Sequence, residues 1–306
     1  MANHGSGRVL FIGLDACDAP TMLAMAAEGR LPALAGLVRD GAVVPTVAPY
    51  GTFVGSSWMT ITTGRDVANH RFWNWLEIDP VTYQPALTTP REARGASFWQ
   101  RVSDAGRRVA VMDVPHMNLP TEFNGVALKE WGCHDRHDGT DAYPRSLLDE
   151  LDELVGRHPV GCRSHPRGDI AFAPCDYTER ADRLRTHDEE ARLAALLNDG
   201  VEAKRRAALH VYDKGPWDLF VTVMGEGHCV GHQLWHLHDP SHPRHDAAQR
   251  LRVGDPVADT YERIDSVIGD LVARAGDDTT VFVQMNHGMG PHFDGDHLFD
   301  ELLLRI

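Results

Sequence analysis

Positive charge is scarce in this sequence: 30 Lys and Arg stand against 44 Asp and Glu, a formal net charge of −14 over 306 residues. No basic patch or stripe emerges. That argues against a protein that coats a nucleic-acid polymer, because neutralising a phosphate backbone needs clustered Lys and Arg. A nucleotide-sized substrate stays open, since a bound metal ion can supply local positive charge. Cysteine is sparse too. Cys17, Cys133, Cys162, Cys175 and Cys229 are scattered, odd in number and form no C-x-x-C pair. They predict reduced thiols and a cytoplasmic protein. No run of about 18 apolar residues is present, so no membrane span is expected. The stretch before the first strand lacks a long apolar segment, so no signal peptide is expected. Nothing in the sequence sets the oligomeric state.

What is present is apolar patterning and histidine. Hydrophobic residues make up 42% of the chain, enough for a sizeable core. Arg8–Leu14 is a short apolar run bounded by polar residues and predicts a fully buried strand ending at Asp15. Helices are predicted from about Pro20 to Glu28, with Asp18 as cap, and from Leu31 to Asp40. A strand is expected over Gly41–Val47, then a hydroxyl-rich helix start around Thr52–Gly64. A helix at Ser97–Ala105, capped by Ser97, leads to strands Arg108–Val114 and Gly125–Lys129. One long helix is read over Glu179–Val211. Helix Val257–Ala275 and strand Thr279–Met285 follow the apolar run Trp217–Met224. Strands alternating with helices predict an α/β fold, a mostly parallel central sheet flanked by helices. The patterning spans 1–306 as one α/β domain. It loosens over about 118–210, which reads as a middle insertion forming a cap.

Of the 18 histidines, ten lie from His210 to His297. The densest stretch is Gly225–His236, directly after the strand ending at Met224. Glu226, His228, His232 and His236 therefore sit past the carboxyl end of a strand, where open α/β sheets place their sites. If the segment is helical, His228, His232 and His236 share a face. Imidazoles with a carboxylate suit zinc, with manganese as the alternative. Asp15, the hydroxyls of Thr52–Ser57 and the Asn286-His287-Gly288-Met289-Gly290-Pro291-His292 stretch also lie at strand ends or a helix start. A hydroxyl at a helix N-terminus suits a nucleophile, because free N–H groups favour an anion there. Asp, a hydroxyl and several His together make a recipe for metal-assisted phosphoryl transfer.

Four stretches in order carry a resemblance. They are Gly13-Leu14-Asp15 after a strand, Ser57 to His70 with Thr63-Gly64-Arg65-Asp66, Gly231-His232-Gln233-Leu234-Trp235-His236, and His287-Gly288-Met289-Gly290. In this order they are similar to the type I phosphodiesterase / nucleotide pyrophosphatase family of the alkaline-phosphatase superfamily. The resemblance implies an alkaline-phosphatase-like fold and two metal ions, usually zinc. It also implies a Thr or Ser nucleophile acting on a small phosphate ester. Carried over, Asp15 matches the first Asp, His232 the His of Asp-x-x-x-His, and His287 the His of Asp-His-Gly.

Three positions depart from the family pattern. His228 stands where Asp is usual, with Glu226 near enough in sequence to supply a carboxylate. Asn286 stands where the second Asp is usual, and Asn binds zinc poorly. Counting back from Thr63-Gly64 puts Val54 at the nucleophile position; a two-residue shift restores Thr52, with Ser56 next in rank. His292 is a late candidate ligand. The resulting ligand set is Asp15, Thr52, Glu226, His228, His232, Asn286, His287 and His292. Two fewer carboxylates weaken the hold on divalent cations. The readings are thus a phosphodiester or phosphomonoester hydrolase with one or two ions, a sulfatase or phosphonate hydrolase on the same scaffold, or a metal-poor binding protein that does not hydrolyse.

Overall fold

In the computed structural model, the described residues are 7–48, 54–74, 76–133, 139–159, 186–291 and 302–305. The chain opens with β1 (Arg8–Leu14), α1 (Ala19–Ala27) and α2 (Pro32–Asp40). Then come α3 (Ser56–Thr63), the short α4 (Val67–His70) and a two-stranded antiparallel hairpin, β2 (Leu76–Ile78) and β3 (Pro85–Leu87). Next are α5 (Phe98–Asp104), β4 (Val109–Met112), β5 (Gly125–Lys129), β6 (Asp141–Tyr143) and α6 (Ser146–Val155). The remainder is α7 (His187–Asp213), β7 (Leu219–Met224), α8 (Glu226–His238), α9 (Ala247–Val253), α10 (Pro256–Ala275) and β8 (Thr279–Met285).

The main sheet runs β6-β5-β4-β7-β1-β8, parallel throughout except for the β5–β6 pair. This is the α/β arrangement that alternating strands and helices predict. β1 lies between β7 and β8, with Leu14 level with both Met224 and Met285. The three carboxyl ends therefore finish side by side, and whatever follows them in sequence meets in space. Buried strands need apolar side chains on both faces. In β1, Leu10, Ile12 and Leu14 point into a core shared with α7, α8 and α10. Val9 and Phe11 pack on the opposite side with Trp58 and Trp99.

The expected strand over Gly41–Val47 is not formed. Residues 42–48 have no regular structure, and Val47 is 92% exposed. Among the described residues the stretch pairs with no strand of the sheet, and with residues 41–48 all exposed its valines have no buried face to pack on. The long helix begins later than the apolar pattern suggests. Thr186 accepts from Glu189 N while the Glu189 carboxylate accepts from Thr186 N, a capping box that starts α7 there. The 118–210 stretch is joined to the sheet over its described parts, because it supplies β5, β6 and the core-facing side of α7.

One tie holds α2 in place. Its first residues lack a side-chain cap of their own, and the buried Asp265 on α10 accepts from Ala33 N and Leu34 N instead, at 3.0 and 2.8 Å. Asp265→Ala strands two donors at a helix start and is expected to cost about 2 kcal/mol in urea unfolding. A loss below about 0.5 kcal/mol, the range of a surface change, would show that water caps α2 equally well.

Candidate metal centre

Asp15 is the residue around which the site is built. It follows β1 directly, and its backbone N–H donates to Met224 O of β7 at 3.0 Å. The next residue, Ala16, has φ +52°, one of three non-glycine residues in the left-handed region just past strand ends; the others are Asp113 after β4 and Glu130 after β5. Such conformations cost about 1–3 kcal/mol each and gather at functional sites. The Asp15 carboxylate is buried and accepts at both oxygens. Trp58 Nε1 donates to Oδ1 at 2.6 Å, and Asn286 Nδ2 donates to the same oxygen at 3.0 Å. Oδ2 lies 2.7 Å from His228 Nδ1.

α8 begins at Glu226, as the sequence suggested, and delivers His228 from its first turn. His228 and His232, one turn apart, stack with centroids 4.7 Å apart and bring their Nε2 atoms to 2.9 Å. His287, just past β8, meets His228 edge-on at 5.7 Å. Its Nδ1–H donates to Gly288 O at 3.0 Å, which leaves the lone pair on Nε2. One ligand atom each from Asp15, His228 and His287 fall within 4.8 Å of one another. This is the one such group of Asp, Glu, His and Cys among the described residues.

Those residues fit a divalent ion. Two imidazoles and a carboxylate are a zinc-type donor set, and ligand atoms on one tetrahedral zinc stand about 3.3 Å apart. A hydrogen bond spans the 2.7 Å between Asp15 Oδ2 and His228 Nδ1, and an ion held by both atoms would take the place of its proton. His236, the last of the spaced histidines, turns elsewhere and pairs with Glu190 on α7 at 2.9 Å.

Glu226 does not join the group. Its carboxylate points to the other side of β7, into a buried ion network. Oε1 accepts from His158 Nε2 at 2.8 Å and lies 3.5 Å from Lys204 Nζ. Lys204 also pairs with Asp113 Oδ2 at 2.7 Å and donates to Val223 O. Asp113 in turn accepts from Trp131 N and Gly132 N. Burial opposes ionisation of Glu226, yet Lys204 and His158 outweigh it and hold the carboxyl below its ordinary range. Burial likewise pulls the Lys204 ammonium down, but Asp113 and Glu226 push it above its ordinary value. The His158 ring fits because two glycines flank it. A Cβ on Gly132 would come within 2.7 Å of the ring, and so would one on Gly200.

Among the expected hydroxyls, Thr52 lies outside the described residues, as does the late ligand His292. Ser56 is fully buried. Its neighbour Ser57 is the hydroxyl linked to the site, with Oγ 3.3 Å from Asn286 Nδ2. Trp58 was not among the residues expected from the sequence, although it sits in the Ser57–His70 stretch that carried the resemblance. Cys17 and Cys229 are buried thiols that form no disulfide among the described residues. Burial, then the charges of Asp15, Glu226 and Asp18, push the Cys17 thiol well above its ordinary value, so it stays protonated.

With this geometry in view, residues 9–305 match the type I phosphodiesterase / nucleotide pyrophosphatase family, and the chain belongs to it. No curated protein sequence matches the chain. Among solved structures, phosphonoacetate hydrolase from Sinorhizobium meliloti 1021, in complex with phosphonoformate, superposes with a TM-score of 0.58 at 20% identity. That match covers 97% of this chain and 62% of the other. Murine ectonucleotide pyrophosphatase / phosphodiesterase 5, in complex with AMP, matches at 12% identity with a TM-score of 0.49 over 92% of this chain and 57% of that one. The fold is alkaline-phosphatase-like. The chain spans less than two thirds of the length of these structures. No helix among the described residues is long and apolar enough to cross a membrane.

Proposed function

We propose that this protein is a metal-dependent hydrolase or transferase acting on a phosphodiester or phosphomonoester of a small molecule, with nucleotide-type substrates included. The observation that carries the reading is the convergence of Asp15, His228 and His287 from the ends of β1, β7 and β8 on one point. Asp15, His228 and His287 would hold the ion, with His232 beside them. Zinc is favoured and manganese is the alternative. When bound, the ion supplies a Lewis acid that stabilises charge on the transferring group. The chain's own residues do the positioning. Trp58 and Asn286 hold Asp15, His228 is held by Asp15, and the Gly288 carbonyl sets the tautomer of His287. The attacking hydroxyl comes from the Thr52–Ser57 stretch. Thr52 remains first in rank by comparison with the family pattern, and Ser57 is the hydroxyl bonded to the site.

The test is metal analysis of protein purified without chelator, followed by rates on aryl phosphodiester, phosphomonoester, phosphonate and sulfate substrates before and after chelation. Turnover of a phosphate ester that chelation removes and zinc restores is the expected result. Preference for sulfate or phosphonate would move the chain to that branch of the scaffold. A second reading, a metal-poor binding protein that does not hydrolyse, is favoured by Val54 at the ungapped nucleophile position. It predicts no stoichiometric metal, no turnover of any of the four substrates, and no loss of function in Thr52→Ala.

A further inference from the structure

The family pattern has a second carboxylate where Asn286 stands, so the orientation of this amide decides what the position does. Asn286 Oδ1 accepts from Ala16 N at 3.0 Å, and Nδ2 donates to Asp15 Oδ1 at 3.0 Å and reaches Ser57 Oγ at 3.3 Å. Flipping the amide would turn Oδ1 onto the Asp15 carboxylate and Nδ2 onto an N–H donor, two repulsive contacts. The surroundings therefore assign the amide without ambiguity. Asn286 is buried, and both ends of its amide are committed to the protein.

Asp15 Oδ1 receives a second donor, Trp58 Nε1, at 2.6 Å. The indole reaches it because Gly13 has no side chain: a Cβ there would lie 2.5 Å from Trp58 Cη2. Gly13, Trp58 and Asn286 thus aim two N–H dipoles, positive ends first, at one oxygen of the carboxylate. A carboxylate oxygen has two lone-pair sites, and both are taken. A cation approaching that oxygen would meet the positive ends of both donors.

We propose that Trp58 and Asn286 replace one cation in this branch of the family. Asn286 is a positioning residue and not a ligand, and Asp15 serves a single ion through Oδ2. The inference rests on the metal-dependent reading above, and it inverts the role first expected for Asn286. Neutral donors do part of what a cation would do: they orient Asp15 and offset its burial. They cannot polarise a substrate oxygen as an ion does.

The experiment compares wild type, Asn286→Ala and Asn286→Asp. Zinc per chain is measured by elemental analysis, and melting temperature is measured in chelator and again with zinc. If Asn286 is a donor, Asn286→Ala keeps the wild-type ion count. Metal-free Asn286→Asp, which sets a carboxylate against Asp15, melts about 5 °C or more below metal-free wild type. Zinc then raises the melting temperature of Asn286→Asp by more than it raises that of wild type, because the added charge now has a cation to meet. The proposal is overturned if Asn286→Ala loses an ion that wild type holds, or if metal-free Asn286→Asp melts with wild type. A wild type that binds no zinc would overturn the metal-dependent reading, and the chelator melting comparison would still decide the role of Asn286.

Discussion

Lys204→Met is expected to destabilise the protein by about 3–5 kcal/mol in denaturant unfolding at neutral pH, the cost of removing one partner from a buried ion network. Lys204 is buried among Asp113, Glu226 and the Val223 carbonyl. Methionine fills much of its volume, so the loss reports charge and not a cavity. Against a typical stability of about 5–15 kcal/mol, this is a large share. The pH dependence has a definite sign. Glu226 is held below its ordinary value, so its contribution is present above the unfolded value of 4.5 and is lost as pH falls through the folded one. Lys204 is held above its ordinary value, so its contribution is full below 10.5 and is lost as pH rises through the folded one. Together they stabilise the wild type across the interval between. Without Lys204, burial governs Glu226 and raises its carboxyl, so the variant should recover stability on going from neutral pH to about pH 5. Adding Glu226→Gln to Lys204→Met should recover part of the loss at neutral pH. A single-variant loss below about 1 kcal/mol, or one that is the same at both pH values, would mean that the network is not ionised as described.

The second large effect is on the site. Asp15→Asn keeps the size of the side chain and an acceptor oxygen for Trp58 and Asn286 but removes the charge. Metal content should fall to background, and the rate on the best phosphate-ester substrate should drop on the order of a thousandfold, about 4 kcal/mol of transition-state stabilisation. Far-ultraviolet circular dichroism should match wild type, because the hydrogen bonds that seat the residue survive. Asp239→Ala serves as a control, since Asp239 lies on the partly exposed turn after α8 and interacts with its sequence neighbours Ser241, Trp235 and His238. Full activity and full metal content in Asp15→Asn would remove Asp15 from the centre.

Much of this was legible before any coordinates. The short apolar run Arg8–Leu14 with polar boundaries marks a buried strand, and Asp15 follows it. The His228–His232 spacing of one helical turn implies a shared face whatever the helix packs against. Asp18, Ser97 and the apolar run before Gly225 are local signals with local causes. These features depend on neighbours in sequence, so the sequence can display them.

The rest depends on neighbours in space. Gly41–Val47 reads as a strand because Val and Thr favour one, but the stretch pairs with no described strand and its side chains are exposed, so no packed face supports it. Glu226 reads as a ligand because it is two residues from His228, yet adjacent positions on a helix point in different directions, and Lys204, 22 positions earlier in the sequence, claims it. Asn286 reads as a weak ligand by comparison with the family. Its role as a donor follows only from Ala16 N and Asp15 Oδ1, which lie 270 and 271 positions away in the chain. Trp58 carries no sequence signal of its own, because only the absent side chain of Gly13 admits its indole to Asp15. The amino-acid sequence by itself determined the α/β class, through strand and helix periodicity, and pointed to the family through four motifs in order; it offered Asp15, His228 and His287 as candidates because they stand at element ends. Tertiary structure alone decided which carboxylate faces the centre and which groups hold Asp15, because those outcomes rest on contacts between strands that the chain joins only after long excursions.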